Sequence, residues 1–391
     1  MRIAYVTADR GIAVFGAKGA SVHIQEMMRA FGGLGHELRA LAARKGGGPD
    51  NGLLVEEVGT AALSGTDRAG KERAAMAQAR AIEDRLIALH RNWPFDLIYE
   101  RYSLWSDAGI RAGARLGIPV VTEVNAPLVV EQSEYRELVH GDAARAIEGR
   151  VFAQSELLAT VSRQVADYAL GRGAPPEAVR VVGNGVDTAR FHPGVEPVRF
   201  GAIPDGAFVV GFTGSLRVWH GVDTLLRAFV TLRQACPDAH LLILGDGPLR
   251  GWIEGFSEGA GIAQAVAITG WVDHADLAPL IAGMDVATAP YPADDGHYFS
   301  PLKLYEYLAT GRPVVASRIG QTAELLEGSQ AACLLPPGDD MALAEALVAL
   351  HADPARRAKM ARAAAAEGRK HDWRENARRV IELVERRRQA A

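Results

Sequence analysis

The segment Tyr298-Phe-Ser-Pro-Leu-Lys-Leu-Tyr-Glu-Tyr-Leu-Ala-Thr-Gly-Arg-Pro-Val-Val-Ala316 sets a lysine and a glutamate three residues apart inside an apolar and aromatic run. Ser300 fits an N-cap, Pro301 the first helical position and Gly311 the position just past the end. A short helix is expected there, running from a loop back to a strand that begins at Pro313. Free backbone N–H groups at a helix start attract anions, so the amides of Ser300, Leu302 and Leu304, beside Pro301, are candidates to face one. Lys303 lies in the first turn, where the helix dipole disfavours a cation, and a Lys before a Glu is the weaker order for an intrahelical pair. Two readings stand: a surface ion pair between Lys303 and Glu306, or Lys303 and the amides on a phosphate with Glu306 on two hydroxyls of a ribose. A carboxylate can accept two hydrogen bonds at once.

A second loop of the same kind follows the run Phe208-Val-Val-Gly-Phe-Thr213. Gly214 and Gly221 permit close backbone approach, and Ser215, Arg217 and His220 place donors or cations between them. A diphosphate leaving group requires such neutralisation; the alternative is a tight turn with a solvated Arg and a packed His. Near the N-terminus, Ile3 to Thr7 runs into a loop with Gly11, Gly16, Lys18 and Gly19, after which Ser21 can cap a helix and His23 lies close to its start. The spacing of the dinucleotide fingerprint is absent. Asn125 ends the strand pattern of Val120-Val-Thr-Glu-Val, and Glu100 and Arg101 leave another strand in the same direction. Asp294 and Asp295 are adjacent carboxylates with no third ligand, and no metal site is expected from them.

These candidates need scaffolding of one kind. Short apolar runs alternate with helix-length amphipathic segments, which argues for parallel sheets covered by crossover helices. Strands are expected at 3–7, 96–99, 119–124, 157–161 and 179–182, then at 208–213, 241–244, 266–268, 286–289, 313–316 and 332–335. A helix near Lys71 to Asn92 is marked by Ala75, Ala79, Ile82, Leu86 and Leu89 at steps of three and four. Residues 191–206, with Pro193, Pro197 and Pro204, read as a linker. The fold class expected is α/β with two doubly wound parallel-sheet domains, 1–190 and 207–372, facing across a cleft beyond the carboxyl ends of their strands. The segment 373–391 reads as a helix with Val380, Ile381, Leu383 and Val384 on one face and six arginines around it, packing back on the first domain.

The chain has 391 residues, 48% of them apolar and 23% charged, with a net charge of -4. This length exceeds one core, and the charge gives no nucleic-acid signature. Cys236 and Cys333 lie in apolar stretches without ligand spacing and read as core thiols of a reducing compartment. The opening residues enter a strand directly, and a cytoplasmic protein is expected, with peripheral membrane contact left open.

Taken together, Gly16-Ala-Lys-Gly-Ala-Ser-Val-His23, Val161-Ser162, Gly183-Asn-Gly-Val-Asp187, the Gly214 to Gly221 loop, Leu244-Gly-Asp-Gly-Pro248, Gly270-Trp-Val272 and above all Ser300 to Ala316 resemble the retaining glycosyltransferases of the GT-B group, glycosyltransferase group 1 or family 4 type. The resemblance covers nearly the whole length. It implies transfer of a sugar from a nucleoside-diphosphate sugar to an acceptor hydroxyl with retention of configuration, with no obligatory cofactor or metal and with uridine diphosphate preferred on family frequency.

Glu306 matches the second glutamate of the family's Glu, seven residues, Glu motif and would hold the donor ribose; Tyr298 stands in the first glutamate's place. Ser215 and His220 occupy positions where the family has an Arg and a Lys, and Arg217 and Lys303 would substitute for them. Asn125 stands where the family often has a His near the sugar. Gly16 and Gly19 match the loop approaching the phosphates, with Lys18 between them, and Gly270 and Trp271 would lie by the base. Glu100, Arg101, Glu131 and Tyr135 are the acceptor-side candidates. The alternatives are a sugar-nucleotide epimerase on the same scaffold, a nicotinamide-dependent dehydrogenase, which lacks its fingerprint, and a non-catalytic nucleotide-sugar sensor.

Overall fold

A computed structural model describes residues 1–59, 67–201, 203–293 and 298–390. They form two compact units, Met1–Asn184 with the chain from Trp373 onward, and Gly185–Asp372.

The first unit comprises β1 (Arg2–Thr7), α1 (Gly19–Gly33), β2 (Glu37–Ala42), β3 (Val55–Glu57), α2 (Arg68–Asn92), β4 (Leu97–Arg101) and α3 (Ala108–Leu116). It continues through β5 (Val120–Val124), α4 (Leu128–Tyr135), α5 (Gly141–Gln154), β6 (Leu157–Thr160), α6 (Arg163–Gly171) and β7 (Val179–Val181). Its sheet has seven strands in the order β3-β2-β1-β4-β5-β6-β7, all parallel. The order reverses direction between β1 and β4, the position where such sheets open a crevice at their carboxyl edge.

The second unit runs β8 (Phe208–Thr213), α7 (Val222–Ala235), β9 (Ala239–Leu244), α8 (Arg250–Gly259), β10 (Val266–Ile268), α9 (Leu277–Ala282) and β11 (Val286–Ala289). Then come α10 (Leu302–Ala309), β12 (Val314–Ser317), α11 (Gly320–Leu326), β13 (Ala332–Leu335), α12 (Asp340–Ala352) and α13 (Pro354–Gly368). Six parallel strands take the order β10-β9-β8-β11-β12-β13, with the switch between β8 and β11. Period-two alternation divides each strand between the faces. Val209, Leu242, Leu244, Ala287 and Val314 fill one core layer, while Phe208, Val210, Leu241, Ile243, Val286 and Val315 fill the other. Phe191 and Ile203 are buried in the first of these layers.

The closing helix, α14 (Trp373–Ala390), returns to the first unit and packs against α1, with Trp373, Val380 and Val384 buried. No described helix is long and apolar enough to cross a membrane.

Several local expectations need correction. Strands β2 and β3 were not expected: Glu-Leu-Arg-Ala-Leu-Ala buries only its last three residues and Val-Glu-Glu is an exposed edge, so neither displays an apolar run. Ser300 does not cap α10, whose N-cap position is Pro301; its hydroxyl lies 3.3 Å from the Tyr305 hydroxyl instead. Ser21 likewise caps nothing and donates to the Ala13 carbonyl at 2.6 Å. Cys236 is buried, but Cys333 is half-buried, because β13 is the sheet's edge strand.

Candidate active site

In the second unit, chemistry gathers where β8 ends. Gly214, at φ 143°, and Gly245, at φ 152°, lie backbone to backbone: a Cβ on Gly245 would stand 2.0 Å from the Gly214 carbonyl oxygen. Positive φ and this approach both require glycine. Lys303 of α10 also approaches Gly214, its Nζ 2.9 Å from where a Cβ on that glycine would be.

Apolar anchoring puts it there. Leu304, Tyr305, Tyr307 and Leu308 of α10 are buried in the core, and the Thr213 N–H donates to the Tyr307 hydroxyl at 2.7 Å. This orientation drives the first-turn lysine inward. Lys303 is 8% exposed, its Nζ has no hydrogen-bond partner among the described residues, and it stands 4.1 Å from the Phe212 ring centre and 5.5 Å from that of Tyr291. The Thr213 hydroxyl is another buried polar group without a partner among the described residues. Burial pushes the Lys303 ammonium down to about 7, against a partial upward pull from Glu306. Aromatic faces offset part of the charge's desolvation, but a buried cation without a hydrogen-bond acceptor is costly. The surface ion pair is therefore not what forms.

Glu306 turns elsewhere. Its Oε1 is 2.8 Å from His274 Nε2, and the side chain is 7% exposed. Around this centre, Arg217 is exposed with its guanidinium 5.0 Å from the Trp219 ring centre, and His220 Nδ1 lies 2.5 Å from the Ser215 carbonyl oxygen and 3.4 Å from its hydroxyl. Here the ring serves the turn. Gly270 adopts φ 72° and the next side chain, Trp271, is 58% exposed. Asp294 and Asp295 lie outside the described residues.

In the first unit, the carboxyl edge of β1, β4 and β5 carries a buried charge cluster around Glu123. Its carboxylate accepts from Tyr99 Oη at 2.5 Å, Arg101 Nη1 at 2.9 Å and Asn125 Nδ2 at 2.5 Å, and His23 Nε2 stands 2.7 Å away. His23 Nδ1 is 2.7 Å from Asn184 Oδ1. Although burial alone raises it, these neighbours, His23 and Arg101 foremost, hold the Glu123 carboxyl well below the usual carboxylate range. Asn125 and Arg101 are thus joined through Glu123.

Glu100 is placed apart from them. Its carboxylate accepts from Ser106 Oγ and the Gly109 amide, both at 2.8 Å, at the start of α3, and burial raises it to about 7. Lys18 is exposed and donates to the Gly11 carbonyl at 3.0 Å; Gly16 packs beside Ser21, and Gly19 opens α1. On α4, Glu131 is half-buried with its carboxyl raised by burial, and Tyr135 is 76% exposed.

Sequence reasoning passed over Glu123, His274 and Arg190. A glutamate within a wholly buried strand, Val-Val-Thr-Glu-Val, is a signal for the first. The other two carry no local signal, since the partner of His274 is 32 residues away.

The chain belongs to the group 1 and family 4 glycosyltransferases: the model of glycosyl transferases group 1 matches residues 207–353, and that of glycosyltransferase family 4 matches residues 17–190. Its fold is GT-B. Similar curated proteins include the D-inositol 3-phosphate glycosyltransferase of Salinispora tropica, 29% identical over 304 residues, or 71% of this chain and 61% of that one. The glycogen synthase of Mycobacterium tuberculosis is 28% identical over 280 residues, 70% of this chain and 64% of that one. The chain thus spans less than two thirds of either relative's length. The Jonesia denitrificans D-inositol 3-phosphate glycosyltransferase is 26% identical, with 96% and 92% covered. Among solved structures, sucrose-phosphate synthase from Thermosynechococcus elongatus superposes over all of both chains with TM-score 0.74 at 20% identity. Anabaena HepE in complex with UDP-glucose does so over 98% and 99% with TM-score 0.73 at 18% identity.

Proposed function

We propose that the protein transfers a glycosyl group from a nucleoside-diphosphate sugar, with uridine diphosphate as the leaving group, to an acceptor hydroxyl. The observation that carries this reading is the buried Lys303 ammonium, held beside Gly214 and the Phe212 and Tyr291 rings without an acceptor among the described residues. A cation kept dry and unpaired is preorganised for an anion that arrives later. A diphosphate has the charge to repay its burial, and the first amides of α10 add donors beside it. The names of the similar proteins, an inositol phosphate glycosyltransferase and a structure holding UDP-glucose, support the same substrate class.

In this reading the acceptor oxygen attacks the anomeric carbon as the bond from that carbon to the diphosphate oxygen breaks. The hydroxyl proton passes to the departing phosphate oxygen on the same face, so configuration is retained. Lys303 and the helix amides stabilise the charge that grows on the leaving group, in the place of a divalent ion. Arg217, on the exposed rim, adds a mobile second cation. Glu306 holds the ribose hydroxyls, Gly270 and Trp271 border the base, and Asn125 contacts the transferred sugar. Glu131 and Tyr135 border the acceptor, as does Arg101; Glu100 bears on the acceptor only through the packing of α3.

The test is donor consumption with and without a panel of hydroxyl acceptors, coupled to thermal stabilisation by nucleoside diphosphates. Stabilisation by uridine diphosphate, with acceptor-dependent release of the same nucleotide, is expected. Stabilisation by no nucleoside diphosphate would contradict the reading.

A further inference from the structure

The carboxylate assigned to the ribose is itself held by a residue with no assigned role, and its hydrogen-bond direction can be read from chemistry. His274 begins a single turn of 3-10 helix, His274–Asp276, four residues beyond Gly270. Its Nδ1 is 2.9 Å from Arg190 Nη1, and its Nε2 is 2.8 Å from Glu306 Oε1. A guanidinium has donors and no acceptor, so Nδ1 must offer its lone pair to Arg190. The ring proton therefore sits on Nε2, and the neutral imidazole donates it to Glu306. Arg190 is in turn 3.5 Å from Asp187 Oδ2.

The far end of this chain is fixed. The Phe191 side chain is 1% exposed in the core with its ring centre 5.3 Å from that of His274. The Val186 amide donates to the His371 carbonyl at 2.9 Å, and the Thr188 hydroxyl donates to the Asp372 carboxylate. An Asp–Arg–His relay anchored in backbone thus ends on one oxygen of Glu306. Among the described residues, the remaining lone pair of Oε1 and both of Oε2 stay available to a ligand.

Resting on the proposed ribose role of Glu306, we infer that His274 is a positioning residue for donor recognition: it locks the Glu306 carboxylate in the rotamer that selects a ribose over a deoxyribose. Lys303 cannot supply that lock, because its Nζ makes no hydrogen bond. Without His274, a glutamate carboxyl can rotate about its terminal torsions and loses ligand selectivity before it loses the diphosphate site.

The experiment is calorimetric titration of the full chain with uridine diphosphate and with 2′-deoxyuridine diphosphate, in the wild type, Glu306→Ala, His274→Ala and His274→Gln. Glutamine places an amide N–H near the imidazole Nε2–H. The wild type is expected to prefer the ribonucleotide by roughly tenfold or more, the discrimination that a hydrogen bond to a charged group gives. Glu306→Ala should erase this preference, His274→Ala should reduce it to within about threefold of unity by loss of that same bond, and His274→Gln should restore most of it. Affinity for the deoxynucleotide, which keeps one of the two hydroxyls, should fall less than affinity for the ribonucleotide in Glu306→Ala and His274→Ala. A wild-type preference retained in His274→Ala but lost in Glu306→Ala would overturn the role of His274 and leave the ribose role standing. A preference retained in Glu306→Ala would remove the ribose role itself. An equal loss of affinity for both nucleotides in His274→Ala, without recovery by Gln, would mean a general structural role and would also overturn the inference.

Discussion

Glu123 and Lys303 are both ionisable side chains sealed at the carboxyl edge of a parallel sheet, one in each unit, and their surroundings are opposite. Glu123 has Tyr99, Arg101, Asn125 and His23 within 3 Å, so its charge is stabilised and its carboxyl stays ionised. Lys303 has aromatic faces and, among the described residues, no acceptor, so its charge is penalised and its ammonium is driven down to about 7. A saturated buried charge is a structural element that fixes its neighbours. An unsaturated one stores free energy that only a ligand of opposite sign can release. In the proposed reading, the first unit's cluster positions Arg101 and Asn125, and the second unit's lysine binds the donor.

The comparison breaks first at Glu123. Glu123→Ala strands Arg101 and His23 in a dry site, and breaking a buried pair in this way costs about 3–5 kcal/mol. Hydrogen exchange of β4 and β5 should report that loss in the first unit; a loss below about 1 kcal/mol would place Glu123 with weak surface pairs.

The next effect sharpens the comparison through pH. Below about 7 the Lys303 ammonium is already charged and meets the diphosphate directly. Above about 7 the free protein has lost that proton and must take it up to bind. Uridine diphosphate affinity should therefore fall by up to about tenfold per pH unit above that point. A terminal phosphate has its second pKa at about 6, so it adds little slope above about 7. Titration calorimetry in buffers of differing ionisation enthalpy would reveal the proton uptake; a flat profile from 6.5 to 9 would contradict it.

Stability without ligand should move the other way. The folded-state value lies below the ordinary 10.5, so the unfolded chain holds more protons between about 7 and 10.5, and this group makes folding more favourable as pH rises through that window. The smallest effect is expected at Arg217→Ala. Its guanidinium is exposed and stacked on Trp219, so a rim cation of this kind should change donor affinity only about threefold, and less at high salt.

Much of this scaffold is legible in the sequence because parallel strands buried on both faces are written as apolar runs. Phe208 to Thr213 and Val286 to Ala289 fall where the composition puts them, as do the half-buried edge strands Val266 to Ile268 and Ala332 to Leu335, whose residues are still apolar. Glu37 to Ala42 does not, since two of its first three residues, Glu37 and Arg39, are charged and exposed. Within the site, Lys303 and Glu306 stand out because each is charged amid aromatic neighbours, yet adjacency suggested a pair. Tertiary packing of Leu304, Tyr307 and Leu308 decides otherwise, sending one side chain to Gly214 and the other to His274. The relay through Arg190 and His274 joins segments far apart in the chain. No local period or spacing records it.

The most direct test of the account is a thermal melt of Lys303→Met beside the wild type, each with and without uridine diphosphate at pH 7. The account predicts that the variant without ligand melts a few degrees higher, because an apolar side chain replaces a dry unpaired cation, and that the ligand-induced shift nearly disappears. A variant that melts no higher than the wild type and keeps its full ligand shift would contradict the central claim that Lys303 is a buried charge held in reserve for the donor diphosphate.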